Sequence, residues 1–260
     1  MKKLALLLCV LLALSSLTAC ATPQPEAPPQ ETPTEQNTNS LGQTAFMQAI
    51  LQSAENQDNI TPELRQQYNL MAREFYFCYL PEFNDYAQAV EADAGPFVFY
   101  TLWPVQENPV PQYEIEQKLA ELFVGFEQAP PFVHQDFGRY ACYEDGCYTL
   151  PPEGCPDFER EFYLLTSLEV KPAPDGSDQI YVFCTATNYY FNDMEVYEPG
   201  PDELWLHEQA TALGLDDLEA AKYLLADGSL SELEPQIVIQ TVLVIDNQEQ
   251  TAKILSNNYL

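Results

Sequence analysis

The chain has 260 residues, with 40 Asp and Glu against 10 Lys and Arg, for a formal net charge of −30. That balance excludes the electrostatic basis of nucleic-acid binding, which requires Lys and Arg to neutralise phosphates. It also sets the chain against any anionic membrane surface, while 16 Tyr and 14 Phe supply ample material for a folded core.

In chain order, Lys2 and Lys3 form a positive start, and Leu4 to Leu14 is an unbroken apolar run too short to span a bilayer. Leu17-Thr18-Ala19-Cys20 follows. This order of charge, apolar run, small residues and cysteine resembles the lipobox of bacterial lipoproteins. The resemblance implies a signal peptide over residues 1–19, cut by a dedicated peptidase, with Cys20 as the lipid-modified new N-terminus. Loss of residues 1–19 removes two lysines and no acid, so the net charge moves from −30 to −32. The lipid would hold the protein against that repulsion, because each buried CH₂ contributes about 0.8 kcal/mol.

Residues 20–40 carry Pro23, Pro25, Pro28, Pro29 and Pro33 among Thr, Gln, Asn and Glu, without an aromatic ring. Such a segment is expected to be a disordered, extended tether. At roughly 3.1 Å per residue it reaches about 60 Å, against a screening length of about 8 Å at physiological salt. The folded part is thereby expected to stand clear of the membrane's field.

Residues 41–260 are expected to form a single extracytoplasmic domain. Phe46, Met47, Ile50, Leu51 and Ala54 make a helical stripe within Gln43 to Gln57. Thr61-Pro62 reads as an N-cap with proline at the first helical position, and Leu64, Tyr68, Met71, Phe75 and Cys78 or Tyr79 share one face of the helix that follows. Phe97 to Trp103, between Gly95-Pro96 and Pro104, reads as a strand. Ile115, Leu119, Leu122, Phe123 and Phe126 return to helical spacing from Tyr113 to Phe126.

Arg139 to Leu150 reads as a hairpin about Asp145-Gly146, in a register that puts Cys142 and Cys147 diagonally on one face. Glu161 to Lys171 and Gln179 to Phe191 form a second strand pair around Pro174-Asp175-Gly176-Ser177. Ile180, Val182, Cys184 and Ala186 alternate with Tyr181, Phe183, Thr185 and Thr187. Two short helices occupy residues 202–228, with a capping pattern at Asp216 and Glu219 and a stop at Gly228. Gln236 to Ile245 and Thr251 to Ser256 are the last strands.

Helices first and an antiparallel sheet afterwards give an α+β class, with N-terminal helices packed on one face of a curled sheet. This order, ending in Thr241-Val242-Leu243-Val244-Ile245 and Thr251-Ala252-Lys253-Ile254-Leu255, resembles the NTF2-like cone fold found in small envelope lipoproteins. Residues 202–228 would be a two-helix insertion in it.

The chemistry-bearing residues are sparse. Without Cys9 and the lipidated Cys20, five cysteines remain: Cys78, Cys142, Cys147, Cys155 and Cys184. Disulfides are allowed outside the cytoplasm, but an odd count leaves a thiol free or paired between chains. Cys142, Cys147, Cys155 and His134 would suffice for zinc, yet their spacing does not match paired C-x-x-C knuckles, and neither metal nor cofactor is expected. His207-Glu208-Gln209-Ala210-Thr211 fails as a zincin helix because Thr211 cannot replace an imidazole. His134 is a loop histidine able to orient a ligand, although incidental placement is the commoner outcome.

No nucleophile elbow, phosphate loop or dinucleotide fingerprint occurs. Asp202-Glu203 and Asp216-Asp217 read as helix starts, where negative charge offsets the dipole. Asp175-Gly176-Ser177-Asp178 reads as a turn rather than a calcium loop. Tyr76, Tyr79, Tyr100, Tyr181, Tyr189 and Tyr190 either line a stacking surface or cover sheet faces. The favoured expectation is therefore a protein anchored to the bacterial cell membrane through Cys20, whose domain binds an envelope protein or small ligand without catalysis. A carboxylate-dependent extracytoplasmic hydrolase and a calcium-dependent adhesion module are the alternatives.

Overall fold

The computed structural model describes residues 41–52, 60–75, 77–102, 109–126, 140–150, 160–192 and 198–260. In chain order these form α1 (Leu41–Gln52), α2 (Pro62–Glu74), α3 (Tyr86–Ala92), α4 (Gly95–Leu102), β1 (Val110–Pro111), α5 (Gln112–Leu122), β2 (Cys142–Glu144) and β3 (Cys147–Thr149). Then come β4 (Glu161–Pro172), β5 (Gln179–Tyr190), α6 (Pro201–Leu213), α7 (Asp217–Asp227), a 3₁₀ turn (Ser229–Glu232), β6 (Ile237–Asp246) and β7 (Thr251–Tyr259). Helices and two antiparallel sheets place the fold in the α+β class.

Local chemistry explains most boundaries. Thr61 accepts from the Leu64 amide at 3.2 Å with Pro62 beside it, so α2 starts as expected. Asp216 accepts from the Glu219 amide at 2.9 Å to open α7, which Gly228 closes at φ 87°. A side chain at Gly228 would be strained by that φ and would also meet the Arg65 guanidinium at 2.7 Å. Asp145 and Gly146 both have positive φ, 51° and 80°, the combination a two-residue hairpin turn requires.

β4, β5, β6 and β7 form an antiparallel meander in sequence order. Bulges lie between Leu165 and Ser167 and between Val242 and Leu243, where a strand bends. One face presents Tyr163, Leu165, Val182, Cys184, Ala186, Ile239, Leu243, Ile245 and Ile254 to α1 and α2, in a core completed by Phe46, Ile50, Tyr68 and Met71. The opposite face carries Phe162, Leu164 and Tyr189, buried with Phe191 under Leu206, Ala210, Ala221, Leu224 and Leu225 of α6 and α7.

Four expectations are corrected. Phe97 to Leu102 is helical, not a strand; Trp103 lies outside the described residues. Asp93 accepts from the Gly95 amide at 2.9 Å to start α4, and the Thr101 hydroxyl donates back to the Phe97 carbonyl at 2.6 Å. Five of these six residues are buried, and a helix apolar on every side leaves no periodicity to read.

The β2–β3 hairpin, in the expected register, joins β1 in a separate three-stranded sheet and not the larger one. The helix after Tyr113 ends at Leu122, because Phe123 leaves it to bridge Ile254 in parallel. Finally, helices cover both faces of the larger sheet rather than one. The α6–α7 pair separates β5 from β6 in sequence without separating them in space. In addition, Asp85 caps a short helix, α3, that the sequence pattern did not suggest.

Candidate functional site

Polar groups gather at one end of the core-facing side of the larger sheet. Alternation from Leu165 through Tyr163 places Glu161 on this face, directly opposite Tyr190 on β5. Its side chain is enclosed, with the residue 2% exposed. The turn after α2 brings Cys78 and Tyr79 onto it. The Tyr79 hydroxyl donates to Oε1 at 2.5 Å, and the Cys78 thiol donates to Oε2 at 3.2 Å. The Tyr163 hydroxyl stands 3.0 Å from Oε2 and 2.9 Å from Cys78 Sγ, and accepts from the Cys78 amide at 3.3 Å.

The surroundings keep the donors protonated. Burial and the Glu161 charge push the Cys78 thiol well above its usual range, and burial, then the hydrogen bond to Glu161 and its charge, hold the Tyr79 phenol up. Burial, Cys78 and Glu161 do likewise for Tyr163. A thiol in this state is neither nucleophile nor metal ligand, since both roles require thiolate. Three donors give the carboxylate the compensation that a buried charge needs. Beside it, Asn188 sits opposite Tyr163, and its buried amide nitrogen has no acceptor among the described residues.

A second polar belt closes the other edge of the sheet. Asn257 exchanges backbone hydrogen bonds with Phe83 at 2.8 and 2.9 Å. Its side chain donates to the Phe77 carbonyl at 3.2 Å and accepts from Thr241 at 3.1 Å. Tyr259 donates to the carbonyls of Cys78 and Leu80. These bonds hold the 77–83 segment to β7 and cover what would otherwise be an open strand edge.

On the opposite face, Asp202, Glu203, Glu232 and Glu234 line a cavity of about 580 Å³ with Tyr190, Leu233 and Gln236. Glu203 is buried, and its Oε1 accepts from the backbone and side-chain nitrogens of Asn192 at 3.2 and 3.3 Å. The Asp202 carboxyl is raised above the usual range by burial first, then by Glu203 and Glu234. The cleft brings four acidic side chains together at one mouth. A further open groove of about 520 Å³ is lined by Glu82, Asn84, Asp85, Gln88 and Asn258.

Of the residues singled out in the sequence, Cys20, Tyr76, His134 and Cys155 lie outside the described residues. Cys78 enters the Glu161 cluster, and Cys184 is buried in the core with its thiol pushed up by burial. Cys142 and Cys147 are free thiols in the diagonal relation the register required, Cys142 being exposed. Among the described residues no group of His, Cys, Asp and Glu has an arrangement that would hold a metal ion.

His207 is exposed, 3.2 Å from Asp217. Asp175 accepts from the Ser177 amide at 3.0 Å, which also lowers its pKa, as a turn residue does. The tyrosines disperse. The rings of Tyr79 and Tyr100 lie 5.7 Å apart, tilted by 32°, near the Glu161 cluster, Tyr190 faces Glu161 across the strands, Tyr189 is buried under α6 and α7, and Tyr181 lines another cavity.

Sequence reasoning passed over Glu161. The available signal was its place in the series Glu161, Tyr163, Leu165, where an acid takes the first core-facing position of a strand. No helix among the described residues is long and apolar enough to cross a membrane. No known protein family, curated protein or solved structure matches this chain.

Proposed function

We propose that this chain is a lipid-anchored, extracytoplasmic binding protein of the bacterial cell envelope, attached through Cys20, whose folded part is non-catalytic. In this reading residues 1–19 are a signal peptide, residues 20–40 are a tether, and residues 41–260 are a domain that engages an envelope protein or small ligand, not nucleic acid. The address is supported by Lys2-Lys3, the Leu4–Leu14 run and Leu17-Thr18-Ala19-Cys20 in order. The absence of catalysis is supported by one observation above others. Glu161, the buried acid on the core-facing side, is enclosed by two phenols and a thiol held protonated. The architecture is read as a variant of the NTF2-like cone, supported by the bulged meander with α1 and α2 on one face.

Metabolic labelling with radioactive palmitate in a bacterial host tests the address. Label is expected on the wild type and absent from Cys20→Ala. Unlabelled wild type, or a labelled variant, would overturn it.

A second reading, a carboxylate-dependent hydrolase, is favoured by the cleft of Asp202, Glu203, Glu232 and Glu234, where one carboxyl has a raised pKa beside others. It predicts glycoside or peptide hydrolysis that Asp202→Asn abolishes. No turnover of chromogenic substrates of either class would leave the binding reading in place. The calcium-dependent adhesion module predicts a Tm raised by millimolar calcium, and an unchanged melting curve removes it.

A further inference from the structure

The larger sheet ends in β4 on one side, and the second half of that strand is open along its outer edge. Near its start the edge is closed: the Tyr163 amide points away from β5 and donates to Asn69 Oδ1 of α2 at 2.8 Å. Beyond the bulge between Leu165 and Ser167, most of the strand is exposed, and only Leu168 and Val170 are half-buried against the core. The Ala173 amide bonds inward to the Gln179 carbonyl at 3.0 Å. By alternation Leu168, Val170 and Pro172 therefore turn their backbone groups outward. Among the described residues, the amides and carbonyls of Leu168 and Val170 have no hydrogen-bond partner.

An edge of this kind is a template for another strand, and its side chains decide which strand fits. Glu169 and Lys171 share one face and are bonded to each other at 2.8 Å, with Lys171 Nζ 4.8 Å from the Phe183 ring centre. The edge is therefore balanced in charge, in a chain with 40 acids and 10 bases. Against an antiparallel second copy of β4, only residues with outward backbone groups can exchange bonds. Setting Leu168 on its own copy leaves the bulge where the next bonds would form. Setting Leu168 on Val170 brings Glu169 onto Glu169, and setting Val170 on Pro172 brings Lys171 onto Lys171. In the remaining register Val170 meets its own copy, Leu168 meets Pro172, and each Glu169 meets a Lys171. Backbone bonds then run both ways between the Val170 residues, and from each Leu168 amide to the other copy's Pro172 carbonyl.

We propose that β4 is a self-pairing edge: two copies of this chain join antiparallel through residues 168–172, about a twofold axis at Val170. Each Lys171 then lies between two Glu169 carboxylates, a network that fixes the register more than it adds affinity. The bulge and Pro172 keep the contact short, so it closes a dimer and does not extend into a growing sheet. The chain's net charge opposes association only as a screened background, because repulsion fades over about 8 Å at physiological salt. So short a contact makes the dimer weak. The proposal depends on neither the lipid anchor nor a bound ligand.

The test is sedimentation equilibrium of the full chain in density-matched detergent micelles at physiological salt. A monomer–dimer equilibrium is expected within roughly 10 μM to 1 mM. Glu169→Lys and Lys171→Glu each set like charges opposite one another twice, by symmetry, and should each weaken the dimer about tenfold. The double exchange restores opposite charges and should return the affinity to within about threefold of wild type. The two single reversals move the net charge in opposite directions, so general repulsion cannot account for both losses. Monomer at every concentration, a dimer indifferent to either reversal, or a double exchange that stays weak would overturn the proposal. Because palmitate labelling reads Cys20 alone, failure of the anchor and failure of this edge are separate results.

Discussion

On the side of the larger sheet that faces α1 and α2, the core interlocks aromatic rings from several segments and is threaded with polar groups. On the side beneath α6 and α7, the helices contribute only aliphatic side chains, Leu and Ala, to the buried core, packed on the rings of Phe162, Tyr189 and Phe191. The first side contains the quartet Phe83, Tyr86, Phe97 and Phe123, with Tyr86 stacked on Phe123 at 4.5 Å and edge-on to Phe97 at 5.0 Å. It also holds the Glu161 cluster and the Asn257 belt. The second packs Leu206, Ala210, Ala220, Ala221, Leu224 and Leu225 on Phe162, Leu164 and Tyr189.

The difference follows from what each side must organise. Irregular segments such as 77–85 and 123–126 bring unpaired backbone groups into the interior, so they need Asn257, Tyr259 and Ile254 as partners. A helical pair satisfies its own backbone and needs only an apolar stripe. The Arg65 guanidinium, donating to the Ala226 carbonyl at 3.1 Å, ties that pair to α2. The polar side is thus long-range and interdependent, and the aliphatic side is close to an add-on.

The sharpest way to break this comparison is Phe97→Ala. It should cost about 4 kcal/mol, because the void adds to the lost transfer energy. Urea denaturation should show one cooperative transition at a much lower midpoint, as expected of an interdependent core.

Leu225→Ala comes next, at about 3 kcal/mol by the same mechanism. Native-state hydrogen exchange should show protection lost first across residues 201–233, with β5 and β6 less affected. Equal loss in both places would merge the two sides into one cooperative unit.

Tyr259→Phe removes the hydroxyl donated to Cys78 and Leu80, costing about 1.5 kcal/mol. Burial, then Cys78 and Glu82, raise the Tyr259 phenol to about 12. A phenol raised in the fold contributes stability that is complete below its ordinary value near 10 and is lost as pH rises through the folded value. Absorbance at 295 nm and circular dichroism should therefore report coupled ionisation and unfolding between about pH 10 and 12. The variant should lose less stability over that interval. The smallest effect is expected for Asp216→Ala, about 1 kcal/mol from the lost cap of α7, confined to the aliphatic side and read as a lower Tm.

The candidate site was the least legible part of the chain. Cys78, Tyr79 and Tyr190 were visible individually, but nothing within a few residues of any of them points to Glu161. Their meeting depends on a turn 82 residues from Glu161 in sequence. The open edge of β4 is similarly hidden, since it exists only once the sheet has placed β4 outermost.

By itself the sequence determined what is settled within about four residues. Thr61-Pro62, Asp216 with Gly228, and Asp145-Gly146 each satisfy or reverse the backbone locally, and the alternation in β5 follows from side chains pointing to opposite faces. Only the tertiary structure decided that the apolar run Phe97–Leu102 is a helix, because a segment buried on all sides loses the periodicity that distinguishes helix from strand. It also placed the β2–β3 hairpin with β1 and gave α6 and α7 the far face of the sheet. Those outcomes depend on which apolar surfaces remain to be covered after the sheet forms, and no local pattern records that.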